Sequence, residues 1–81
     1  MDARDLKLMA LLAQMYPAWR ISCRTDRHGQ RCWWAIQWRP PNSELKAAGV
    51  HQSIARPSVD ELATALSRQA RILHTRRFRH P

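Results

Sequence analysis

The sequence predicts a small α+β domain, in the order α-β-β-(β)-α, with an antiparallel sheet and both helices packed on one of its faces. Three observations point there. Apolar residues recur at helical spacing toward each end of the 81-residue chain, strict alternation replaces that spacing in between, and turn-forming residues separate the segments. Two amphipathic helices on one apolar sheet face is the economical way to bury both apolar surfaces. A chain this short forms one domain and buries a smaller share of its surface than a longer one. The expected boundaries are a compact body over residues 1–74 and a basic, flexible tail over 75–81.

Residues 2–16 form the first expected helix. Leu8, Leu11, Leu12 and Met15 fall at helical spacing, with Met9 and Tyr16 beside them. Asp2 and Asp5 occupy the first turn, where negative charge suits the helix dipole. Pro17 ends the helix, because the residue before a proline resists the α conformation.

AWRISCRT, residues 18–25, then alternates. Trp19, Ile21 and Cys23 point one way, and Arg20, Ser22 and Arg24 the other. DRHG follows as a turn in which Gly29 is free to take positive φ. RCWWAIQWR, residues 31–39, is the returning strand and holds three of the chain's four tryptophans. Taking Asp26 to Gly29 as a four-residue loop pairs Thr25 with Gln30. Cys23 then lies opposite Cys32, Ile21 opposite Trp34, and Trp19 opposite Ile36. The apolar sets coincide, as one buried hairpin face requires. This register assigns Cys32, Trp34, Ile36 and Trp38 to the core. Arg31, Trp33, Ala35, Gln37 and Arg39 share the outer face.

Pro40 to Gly49 interrupts the hairpin, with Asn42 capping a single helical turn that Gly49 closes. VHQSIA follows as a short third strand with Val50 and Ile54 inward. Ser58 to Glu61, SVDE, is a capping-box pattern after Pro57. It opens a second helix with an apolar face of Val59, Leu62, Ala63, Leu66, Ala70 and Leu73, running to about residue 74. HTRRFRHP is expected to be a frayed tail.

Charge is the most unusual bulk property. Fourteen Lys and Arg against six Asp and Glu give a formal +8, and only Lys7 and Lys46 are lysines. That field attracts anions, nucleic acid most abundantly. Phosphate binding from this source is salt-dependent and largely indifferent to sequence. No stretch approaches the ~18 apolar residues of a membrane helix, so no membrane role is expected. MDARDLK lacks the basic start and apolar middle of a secretory signal, which makes the cytoplasm the expected location.

Catalytic and metal chemistry find little support. Cys23, His28 and Cys32 offer no CxxC or HxxxH spacing, so no metal site is expected. A Cys23–Cys32 bridge fits the register, whereas a cytoplasmic chain with two cysteines tends to keep both as small buried hydrophobes. Asp2, Asp5, Asp60 and Glu61 are accounted for by helix N-termini. His51 is most simply a solvated strand residue. With two glycines and no GxSxG or HExxH, neither an enzyme nor a cofactor is expected.

The outer hairpin face is the sharpest candidate. It carries Arg20, Arg24, Arg31 and Arg39 with Trp33 and Gln37 among them. Guanidinium groups bind phosphates through paired hydrogen bonds, and an exposed indole gives a base something to stack on. Arg24 and Arg31 are expected as cross-strand neighbours, a small electrostatic cost that an acidic partner would relieve. The ordinary reading is that exposed strand faces are polar and that arginine discourages edge-to-edge aggregation. Arg76, Arg77 and Arg79 form a second basic group, suited to a phosphate backbone or an acidic protein patch, or simply to solvent.

In topology, helix, three strands and helix, the chain resembles the double-stranded-RNA-binding domain. That family's second helix opens with a lysine cluster, whereas the same place here reads PSVDEL, so none of its binding residues is carried over. Over about residues 12–72 the chain is similar to short uncharacterised actinobacterial proteins, through YPAWRI at the first strand, WWA in the second, the AAGV turn and PSVDELATAL in the last helix. That resemblance implies an accessory or regulatory partner with no catalytic residues and no cofactor. The expectation is therefore a small basic binding module that engages DNA or RNA. The alternative is a protein-interaction module with an acidic partner or a second copy of itself.

Overall fold

The hairpin loop decides which side of the sheet every strand residue faces. In the computed structural model, which describes residues 3–78 and the side chains of residues 3–75, six elements follow one another. They are α1 (Ala3–Met15), β1 (Trp19–Thr25), β2 (Arg31–Gln37), α2 (Ser43–Ala47), β3 (Ser53–Arg56) and α3 (Val59–Phe78). The strands form one antiparallel sheet in the order β1-β2-β3, which is the α+β architecture expected.

The loop itself is shorter than the four residues expected. The Asp26 N–H donates to the Gln30 carbonyl at 2.9 Å, so these two residues close a loop of Arg27, His28 and Gly29. The Asp26 carboxylate accepts from the N–H groups of His28 (2.8 Å) and Gln30 (2.9 Å). Gly29 has φ +77°, the left-handed conformation that ends a three-residue hairpin loop.

A three-residue loop in place of a four-residue one moves the register by one. Thr25 pairs with Arg31, Cys23 with Trp33, Ile21 with Ala35 and Trp19 with Gln37. Since side chains alternate with period two, a one-residue slip exchanges the faces of β2. Trp33, expected outside, is 4% exposed and lies in the core with Ala35. Cys32, Trp34 and Ile36, expected in the core, stand on the opposite face. The Cys23–Cys32 bridge is excluded with them. The two free thiols now project from opposite sides of the sheet, and side chains that diverge cannot be bridged.

The core is Leu12 from α1, Trp19 and Ile21 from β1, Trp33 and Ala35 from β2, Ile54 from β3, and Leu62, Ala65 and Leu66 from α3. Both long helices thus cover the same face, as expected, but each is turned about its axis from its expected orientation. In α1, Leu12 is buried and Leu8 and Met9 pack partly, while Leu11 (54%) and Met15 (64%) are exposed. The buried stripe instead begins at Asp5, whose carboxylate accepts from Arg31 Nη1 across the sheet face. In α3, Leu62 and Leu66 are buried and Val59 and Ala63 pack against the core as expected, but Ala65 and Gln69 are buried with them and Ala70 is exposed.

Gln69 explains the rotation of α3. Its side chain accepts from the His51 N–H (2.9 Å) and donates to the Gly49 carbonyl (3.0 Å), holding the approach to β3 against the helix. The other local expectations hold. Asn42 Oδ1 caps α2 through the Leu45 N–H at 2.8 Å, and Gly49 takes φ +103° beyond its end. Ser58 Oγ accepts from the Glu61 N–H (3.2 Å) and donates to Glu61 Oε2 (3.0 Å), opening α3. Val50 and Ile54 are buried, although β3 starts only at Ser53. The helix α3 passes the expected end near 74 and takes in residues 75–78, since no glycine or proline intervenes before Pro81. The rest of the expected tail, residues 79–81, lies outside the described residues. Among the described residues no helix is long and apolar enough to cross a membrane.

Candidate functional site

With both long helices on one side, no helix among the described residues packs over the other side of the sheet. Its residues follow from the pairings. Arg20, Ile36 and Ser53 form one row across the strands, Ser22, Trp34 and Ala55 the next, and Arg24 and Cys32 a third. Trp34 therefore stands at the centre of the face. The small residues Ser22 and Ala55 lie directly across from it, Cys32 and Ile36 flank it along its own strand, and Arg20 and Arg24 sit on its diagonals. Diagonal neighbours lie ~7–8 Å apart at the backbone, within reach of long side chains. Trp34, Ile36 and Cys32 are half-buried, and both arginines are exposed. Trp38, next in the same alternation, is 65% exposed, and its N–H carries the ladder one step further by donating to the Ala18 carbonyl at 3.1 Å.

The electrostatics of this face are one-sided. Neither Arg20 nor Arg24 has an ion-pair or hydrogen-bond partner among the described residues. No strand of the sheet carries a carboxylate. Of the described carboxylates, Asp5 is engaged with Arg31 on the helix side, Asp26 with its loop, Glu44 stands in the first turn of α2, and Asp60 and Glu61 begin α3. The arginines of this face therefore have no carboxylate paired to them among the described residues, and exposed guanidinium groups of this kind attract phosphate and carboxylate alike. Ser22 Oγ, opposite Trp34, is shielded from solvent and has no hydrogen-bond partner among the described residues. On the helix side, burial pushes the Cys23 thiol above its ordinary range, with the Arg31 charge acting in the other direction.

The candidate residues read from the sequence therefore separate. Arg20 and Arg24 stay together on the helix-free face. Arg31 projects to the helix side and holds Asp5, so the anticipated repulsion between Arg24 and Arg31 does not arise. Trp33 is core. Gln37 Nε2 donates to the His51 carbonyl at 3.0 Å, a structural contact across the sheet. Arg39 is exposed in the bend after β2. Arg76 and Arg77 fall in the last turn of α3, beyond the described side chains, and Arg79 lies outside the described residues. The face residues that the expected register hides are Trp34, Ile36 and Cys32, with Trp38 following them. The signal that identifies them is Asp26 with a glycine three residues later, the composition of a three-residue loop with a side-chain cap.

A shallow depression of about 350 Å³ between β3 and α3 is lined by Arg56, Asp60, Glu61, Thr64, Ala65 and Arg68. Its guanidinium and carboxylate groups oppose one another, so it selects neither charge. Among the described residues no three His, Cys, Asp or Glu side chains come together as metal ligands would. No protein-family model, curated protein or solved structure matches the chain.

Proposed function

We propose that this protein is a non-enzymatic binding module that engages nucleic acid, in a regulatory or accessory role, through the helix-free face of its sheet. One observation carries the reading. A half-buried indole, Trp34, is centred on the helix-free face between two exposed arginines, Arg20 and Arg24, that have no partner among the described residues. The ring supplies a stacking surface and the guanidiniums supply phosphate contacts, which together form a sequence-tolerant nucleic-acid site. The formal +8 adds long-range attraction. Arg76, Arg77 and Arg79 add to that attraction by charge.

A second reading has its own observation. The apolar row of Cys32, Trp34 and Ile36, continued by Trp38, matches the aromatic and arginine-rich composition of protein interfaces. An acidic protein, or a second copy of this chain, would then cover the face.

Fluorescence anisotropy of labelled DNA and RNA, at low and moderate salt, tests the first reading. Wild-type protein should bind with strong salt dependence. Arg20→Ala with Arg24→Ala should lower the slope of log K against log salt by roughly 0.7–0.9 for each phosphate that is no longer neutralised. No binding of any probe at low salt, with self-association seen by sedimentation, would transfer the face to the second reading.

A further inference from the structure

The geometry of the helix-free face points to single-stranded rather than duplex nucleic acid as its ligand, and we propose this as the form it selects. The inference rests on the nucleic-acid reading above and makes it specific. An indole can stack only on a base whose face is free. In a duplex the base faces are stacked against one another, and a flat sheet meets phosphates and groove edges alone. Trp34 is built for the other case. Its cross-strand neighbours on the face are the small residues Ser22 and Ala55, so the side chains directly across from the ring do not rise above it. Ile36 continues the apolar floor toward Trp38, which offers a second ring.

The charges are placed for a strand that crosses this floor. Arg20 and Arg24 lie four residues apart on β1, about 13 Å at 3.3 Å per residue, one on each side of the Trp34 row. A single strand with one base on the indole can bring flanking phosphates to both. Neither the start of α3 nor Arg31 is suited to entering a duplex groove. The start of α3 is acidic, with Asp60 and Glu61 in its first turn, and Arg31 is held on the helix side by Asp5.

The test uses one short, unstructured, fluorescein-labelled oligonucleotide, alone and annealed to its complement. Anisotropy is followed at low and moderate salt with wild-type protein, Trp34→Ala and the more strand-compatible Trp34→Thr, each checked for folding by circular dichroism. The wild type should bind the single strand at least about tenfold more tightly than the duplex. Either variant should weaken single-strand binding roughly ten- to a hundredfold and leave the duplex affinity nearly unchanged. A footprint needs no variant. Alkylation of Cys32, on the binding face, should slow when the single strand is added, while Cys23 on the helix side should be unaffected. Equal or tighter duplex binding, or an equal loss of both on removing Trp34, would overturn the single-strand inference while keeping nucleic acid as partner. Absence of salt-sensitive binding to either probe would overturn the underlying reading as well.

Discussion

Trp33 and Trp34 are adjacent in sequence and opposite in environment. Trp33 is almost fully enclosed by the helices, and Trp34 lies on the face they leave bare. Alternation makes it legible that the two differ, but not which is inside. Both faces of β2 are rich in apolar residues, so hydrophobicity alone does not choose between registers there. The loop makes that choice, and one residue more or less in it decides the facing of every residue downstream. Two residue-scale outcomes follow. Mild oxidation of the folded protein should form no internal disulfide, whereas the same treatment in denaturant should close one. Thiol titration with mass measurement checks this, and a bridge formed in the folded state would argue for the other register. Ser22→Ala should be neutral or stabilising by up to about 1 kcal/mol, because it removes a shielded hydroxyl that has no partner among the described residues. A loss of stability there would mean the hydroxyl is bonded.

At the scale of elements, the helices, the α2 turn and the capping of α3 are legible because each has a local signal. Asn42, Ser58 with Glu61, and Pro17 act within a turn of where they stand. The rotation of the helices is not legible, since it is set by contacts distant in sequence. Asp5 meets a residue 26 positions away, and Gln69 meets backbone groups 18 and 20 positions away. Hydrophobic periodicity discounts a polar residue at a core-facing position, so it favours Ala70 over Gln69. Gln69→Leu should cost about 1–3 kcal/mol, as it strands the Gly49 carbonyl and the His51 N–H in a part-buried site. Gln69→Glu should be at least as harmful at neutral pH, because a carboxylate still accepts from His51 but opposes the Gly49 carbonyl. Thermal unfolding distinguishes these. A Gln69→Leu variant as stable as wild type would show that the clamp does not hold β3 to the helix.

For the whole molecule, fold class is the easiest property to read, because it depends only on which periodicities occur in which order. Function is harder. The composition points to an anionic partner, but charge belongs to the entire surface, and its useful part is known only once the sheet has a covered and a bare side. The arginines of the proposed binding face are then two, Arg20 and Arg24, and the ring between them is the tryptophan that a four-residue loop would have buried. The most direct measurement of that central claim is the denaturant stability of Trp33→Ala beside Trp34→Ala. A chain of this size has about 4–12 kcal/mol to lose. Removing the buried ring should cost about 3–5 kcal/mol and removing the half-buried one about 1–2 kcal/mol. If Trp34→Ala proves the more damaging of the two, the faces of β2 are reversed, and the binding face proposed here is part of the core.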